Sequence, residues 1–119
     1  NIMAYEAKHR KTYNQSAERI NQSLSEIIAN LGGKESPKSN PAKGRADANF
    51  NKKIKGEYMN NRVQLQTKIN SKSPDQCMVA AMAYPVDPVG EKLAFGVQGD
   101  PARVVINAFF AELDTQFGS

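Results

Sequence analysis

Two segments near opposite ends of the chain repeat their apolar residues at steps of three and four, and most of what lies between them alternates. In residues 15–31 the apolar set is Ala17, Ile20, Leu24, Ile27, Ile28 and Leu31, which that spacing gathers on one helical face. In the last helical segment Val105, Ile106, Phe109, Phe110, Leu113 and Phe117 do the same. A helix with a single apolar stripe must cover it, and a sheet with one apolar face can cover two such helices. The expected fold class is therefore α+β. It is a two-layer sandwich in the order (β)-α-β-β-β-β-α, an antiparallel meander covered on one face by two amphipathic helices.

The helix ends carry their own signals. Asn14 or Ser16 can accept an orphan amide at the start of the first helix, and Gly32-Gly33 supplies the positive φ that stops it. Asp100-Pro101 opens the last helix: the aspartate caps, and proline's missing amide costs nothing at the first helical position. Gly118 marks its end.

Between the helices, residues 45–70 read as a hairpin. Ala46, Ala48, Phe50, Ile54 and Tyr58 share one parity, and Val63, Leu65, Thr67 and Ile69 share the other strand's. A turn at Asn60-Asn61 sets Tyr58 opposite Val63, Gly56 opposite Leu65 and Ile54 opposite Thr67, which lands both apolar sets on one face. Gly56 then marks a bulge or a close approach of the helix. Residues 71–76 form a turn, and residues 77–86 (CMVAAMAYPV) form a central strand that Pro85 limits. Asp87-Pro88-Val89-Gly90 is a tight turn before a last strand carrying Leu93, Phe95 and Val97. Residues 1–13 fit either a strand or a helix, with the balance toward a strand whose exposed end is Lys8-His9-Arg10-Lys11. Residues 34–44 (KESPKSNPAKG) read as a flexible loop.

The 119 residues make one ordinary domain, spanning 1–119. Hydrophobic residues are 39% and charged residues 24%, enough apolar surface for a core and no sign of global disorder. No apolar run approaches the roughly 20 residues of a membrane helix. A chain that lacks an initiating Met and a basic-then-apolar leader reads as trimmed or processed. Cys77 and His9 are single, so neither an internal disulfide nor a cysteine or histidine metal cage can form. No metal and no cofactor is expected.

The formal charge is +4, with an isoelectric point near 9.3. It is uneven: residues 1–75 hold 14 Lys/Arg against 7 Asp/Glu, and residues 76–119 hold 2 against 5. A basic half can attract phosphate, or it can be a solvated surface. The candidate anion-binding residues are Lys34, Lys38 and Lys43 in the loop and Lys53 and Lys55 in the hairpin. Aromatic residues that could line a ligand or partner groove between helix and sheet are Phe109, Phe110, Phe117, Tyr58 and Tyr84.

Catalytic motifs are missing: there is no nucleophile elbow, phosphate loop, HExxH or dinucleotide glycine pattern. Asp75, Asp87, Glu91 and Asp100 fall in turns that could share one end of the sheet, where two carboxylates could do acid/base work. Turn and cap duty explains Asp87 and Asp100 without any chemistry. Cys77 begins an apolar strand and reads as an inert core thiol. No catalytic residue is assigned.

The run from Tyr84 to Gly96 (YPVDPVGEKLAFG), the later Phe109-Phe110-Ala111-Glu112-Leu113, the pair Leu31-Gly32 and the strand Gly44–Ala48 together resemble small uncharacterised bacterial α+β domains. The outline, roughly residues 12–117, also resembles helix-grip envelope lipoprotein domains of the outer-membrane β-barrel assembly machinery type. That resemblance implies a bacterial envelope or periplasmic location, with the cytoplasm as the alternative. The expected function is a non-enzymatic binding or scaffold domain, with a protein or a small apolar ligand as partner. The alternative is an anion-binding module for nucleic acid or phospholipid head groups.

Overall fold

In the computed structural model, which describes residues 5–118, the elements follow one another as β1 (Ala7–Tyr13), α1 (Ala17–Asn21), α2 (Leu24–Leu31), β2 (Lys34–Glu35), a 3-10 turn (Pro41–Lys43), β3 (Arg45–Phe50), β4 (Lys53–Ile54), β5 (Glu57–Tyr58), β6 (Arg62–Ser73), β7 (Gln76–Val86) and α3 (Pro101–Phe117). Five strands form one antiparallel sheet in the order β1-β7-β6-β3-β2. The helices cover one face of it: α3 lies across β1, β7 and β6, α1 packs on β6 and β7, and α2 packs on β2, β3 and α3. This is the expected α+β two-layer arrangement. Of the segment 1–13, Ala7–Tyr13 form the strand toward which the balance lay, and residues 1–4 lie outside the described residues.

Parity explains the layers. Cys77, Val79, Ala81 and Ala83 of β7 are buried, while Met78, Ala80, Met82 and Tyr84 are half-buried on the other face. Their register partners Leu65, Thr67 and Ile69, and then Ala48 and Ala46, continue the helix-facing side. Phe50, Phe109, Ile20, Leu24, Ile27, Ile28, Leu31 and Leu113 fill the space between the layers, each fully buried. Asp100 accepts from the Arg103 amide with Pro101 in the first helical position, as the sequence implied.

Several expectations need correction. The single helix over 15–31 is broken at Gln22-Ser23, where serine is a weak helix former; Ile20 and Leu24, on either side, are both fully buried. Of the pair Gly32-Gly33, only Gly32 takes a positive φ, +89°. Gly33 is instead a close approach, since a Cβ there would stand 2.6 Å from the Phe50 ring.

The hairpin register also differs. β3 meets β6 with Phe50 opposite Val63, Ala48 opposite Leu65 and Ala46 opposite Thr67. Residues 51–61 leave the sheet as the small ribbon β4–β5. Positive φ values at Lys52, Lys55 and Gly56 turn the chain out and back, so the turn is not at Asn60-Asn61. The inward parity survives because Phe50 and Val63 still face the helices.

The strand expected at Leu93, Phe95 and Val97 does not form. Both sides of β7 are occupied, by β1 and β6, so no edge is left for it. Phe95 is 81% exposed. Segment 34–44 contributes β2 and the 3-10 turn, and hydrogen bonds tie it to β3: Ser36 donates its amide to the Asp47 carbonyl, and Asn40 and Arg45 exchange backbone bonds.

Candidate functional site

The face of the sheet away from the helices holds an open groove of about 1050 Å³. Its walls and floor follow from the register. One row across four strands reads Arg10 (β1), Ala80 (β7), Lys68 (β6) and Arg45 (β3). The next reads Lys8, Met82, Gln66 and Asp47. His9, on the opposite parity, stacks edge-on against Phe110 of α3 at 4.6 Å between ring centroids, which confirms that Lys8 and Arg10 face away from the helices.

Lys38, Asn40 and Lys43 complete the rim. They are held by the 3-10 turn, whose C-cap Gly44 has φ +77° and donates to the Pro41 carbonyl. Ser39 braces the same segment, donating to Glu35 and accepting from the Asp47 amide at 3.3 Å.

Six cations therefore surround the groove (Lys8, Arg10, Lys38, Lys43, Arg45 and Lys68) with a single carboxylate, Asp47. Asp47 is paired to Arg45 at 3.1 Å, a contact that raises the Arg45 pKa above its ordinary value. Lys8 sits 3.7 Å from Glu6. Among the described residues, Arg10, Lys38, Lys43 and Lys68 have no carboxylate within ion-pair distance. Lys68 and Arg45 stand directly opposite each other across β6 and β3, and like charges so placed repel.

Of the five lysines singled out in the sequence, Lys38 and Lys43 line this groove. Lys34 sits in β2 opposite Asn49. Lys53 belongs to the ribbon, and Lys55 lies 3.8 Å from Glu112. Lys8, Arg10, Arg45 and Lys68 were missed because three distant strands bring them together. The available signal was parity: even positions of β1 and β6 are polar or charged where Met78, Ala80 and Met82, at even positions of β7, are apolar.

The five aromatic candidates are not brought together. Phe109, Phe110 and Phe117 are buried in the core. Tyr58 is 70% exposed on the ribbon, beside a smaller recess of about 240 Å³ that also involves Pro101 and Val104. Tyr84 is on the groove side of the sheet, where its hydroxyl accepts from Gln66 at 3.3 Å and the Lys92 ammonium lies 5.0 Å from its ring centroid.

The turn carboxylates do not share one end of the sheet, since Asp75 and Asp87 flank β7 at opposite ends. Asp87 accepts from the Val89 and Glu91 amides, both at 2.9 Å. Cys77 is buried, and burial pushes its thiol pKa up, away from the reactive thiolate. No group of three or more His, Cys, Asp or Glu among the described residues could hold a metal ion. On the helix side, Asp114 accepts from Lys11 Nζ and the Tyr13 hydroxyl, each at 2.8 Å. The Lys11 bond foremost holds its carboxyl below the usual range. Burial foremost, then the bond to Asp114, raises the Tyr13 phenol. No helix among the described residues is long and apolar enough to cross a membrane.

No protein-family model and no curated protein matches the chain. Solved structures do. The di-domain ARO/CYC BexL from the BE-7585A biosynthetic pathway superposes with a TM-score of 0.56 at 14% identity, over 91% of this chain and 43% of that one. The chain thus spans less than half the length of that protein. CalU16 from Micromonospora echinospora (TM-score 0.45, 10% identity, 92% of this chain and 84% of that one) and the Zhui aromatase/cyclase from Streptomyces sp. R1128 (0.39, 9% identity, 92% and 86%) match more loosely. The resemblance to lipoprotein domains of the β-barrel assembly machinery is thereby corrected, because the structure that superposes at a TM-score of 0.56 is the ARO/CYC protein BexL and not such a lipoprotein. What the likeness to BexL establishes is the fold.

Proposed function

We propose that this chain is a binding domain for an anionic ligand, held in the groove on the uncovered face of its sheet. The observation that carries this reading is six cations around one carboxylate, four of them without an acidic partner among the described residues. An interior site between helix and sheet has less support, because fully buried side chains occupy that space. The ARO/CYC name of BexL belongs to that protein and assigns no residue of this chain a role in a reaction.

The test is calorimetric titration with pyrophosphate at low and moderate salt. Each charged hydrogen bond is worth roughly 1.5–3 kcal/mol, so Arg10→Gln or Lys68→Gln should weaken binding about tenfold or more. Lys53→Gln, on the ribbon, should change it less than about twofold. Added salt should weaken binding steeply. Equal effects of the groove and ribbon substitutions, or no binding at low salt, would refute the reading.

A further inference from the structure

Along β7 the floor of the groove is not charged. On its open side β7 presents Met78, Ala80, Met82 and Tyr84, an apolar strip that runs about 20 Å at a strand's rise of about 3.4 Å per residue. The strip is half-buried, whereas Lys8, Arg10 and Lys68 on the flanking strands are exposed, so it lies recessed between polar walls. Ala80 is its smallest member and makes a dent. Arg10 and Lys68 are the two register partners of Ala80, one on each side. Their strands stand about 10 Å apart, so two long side chains can converge on one acid group above the dent. Next along the strip comes Met82, a flexible thioether that adapts to irregular apolar shapes, with the neutral Gln66 beside it.

Two common partners of a basic surface fit this floor poorly. Single-stranded nucleic acid needs exposed rings on which bases stack. Tyr84, the one aromatic residue on the open face of β7, is already covered by Lys92 and bonded to Gln66. A bilayer surface is flat, and would meet the walls before it met the strip.

We infer that the groove takes a monomeric amphipathic anion, with its acid head over Ala80 between Arg10 and Lys68 and its aliphatic body along Met82. The inference rests on the anion-binding reading and names the ligand class for that site. Decyl phosphate below its micellar concentration, pyrophosphate and a ten-residue oligothymidylate serve as probes in parallel titrations, with phosphatidylglycerol vesicles in a flotation arm. Decyl phosphate should bind about tenfold or more tightly than pyrophosphate, because burying the chain adds affinity that a bare anion lacks. Met82→Gln, at a half-buried position outside the core, should remove that advantage and leave pyrophosphate binding within about twofold. Arg10→Gln should weaken both.

Oligothymidylate or pyrophosphate binding as tightly as decyl phosphate would overturn the inference and leave the anion site standing. So would vesicle binding that Met82→Gln leaves intact while decyl phosphate shows none. A dimer in sedimentation that Met82→Gln disperses would assign the strip to a second copy and also overturn it. Silence from every anionic probe would overturn both readings.

Discussion

Replacing Gly44 with alanine tests the loop that presents the groove rim, and Gly56 supplies the control. Both glycines have φ +77°. Alanine in that left-handed region costs about 1–2 kcal/mol, offset at both positions by the same loss of unfolded-chain entropy, about 0.4–1 kcal/mol. The backbone contribution therefore cancels between the two variants. Their surroundings differ. A Cβ at Gly56 meets nothing within 4 Å, whereas one at Gly44 would stand 2.9 Å from the Ile69 carbonyl oxygen. That oxygen is backbone inside β6 and cannot rotate aside, and Gly44 is itself pinned there because its carbonyl accepts from the Ile69 amide at 2.8 Å. Overpacking of this kind costs about 1–3 kcal/mol. Gly56→Ala should thus destabilise by about 1 kcal/mol and Gly44→Ala by about 2–4 kcal/mol. Urea unfolding followed by circular dichroism reads the difference directly, and a melting scan should show Gly44→Ala several degrees below Gly56→Ala. Two variants equal to within about 0.5 kcal/mol would refute the argument, since the one contact at Gly44 closer than ordinary van der Waals distance is that with Ile69.

Phe109 is fully buried and packs edge-on against Phe110 at 5.3 Å, so Phe109→Ala should cost about 3–5 kcal/mol in urea unfolding; a loss under about 1.5 kcal/mol would mean the interior collapses around the gap. Asp114 has its pKa lowered in the folded state, so its contribution is present above the unfolded value near 3.9 and is lost as pH falls through the lower folded value. Stability should drop as pH is taken from about 5 toward 2, and Asp114→Asn should flatten that acid slope in a pH series of urea titrations. An unchanged slope would assign the acid sensitivity elsewhere, Glu6 being the next carboxylate whose pKa is lowered, through Lys92.

The layers were legible because their signal is local. The stripe from Leu24 to Leu31, the cap at Asp100-Pro101 and the alternation of Val63, Leu65 and Ile69 each sit inside one element, and period alone assigns the face. Register was less legible. Tyr58 and Phe50 share a parity, so either could stand opposite Val63, and only the left-handed residues Lys52 and Lys55 decide between them. Lysine gives no hint of that conformation in a sequence. Leu93, Phe95 and Val97 alternate like a strand, but strand pairing needs a free edge, and β1 takes the one on β7. The groove was the least legible part. Arg10, Lys68 and Arg45 become neighbours only through three separate pairings, while the lysines of segment 34–44 drew notice by crowding together in sequence. Proximity along the chain is a poor guide to proximity across a sheet.

The pairing of β1 with β7 also carries a consequence for how the molecule is made. Ala7 must wait for Ala83, its partner 76 residues later. At a synthesis rate of about 5–20 residues per second, that delay lasts roughly 4 to 15 s. Through that interval the leading strand, with its run of basic residues, has no mate, while the β6–β7 hairpin can zip as soon as it emerges. The edge that completes the groove is thus assigned to the earliest-made strand of the sheet and added late in its assembly, after the longest-range strand pairing the sheet contains.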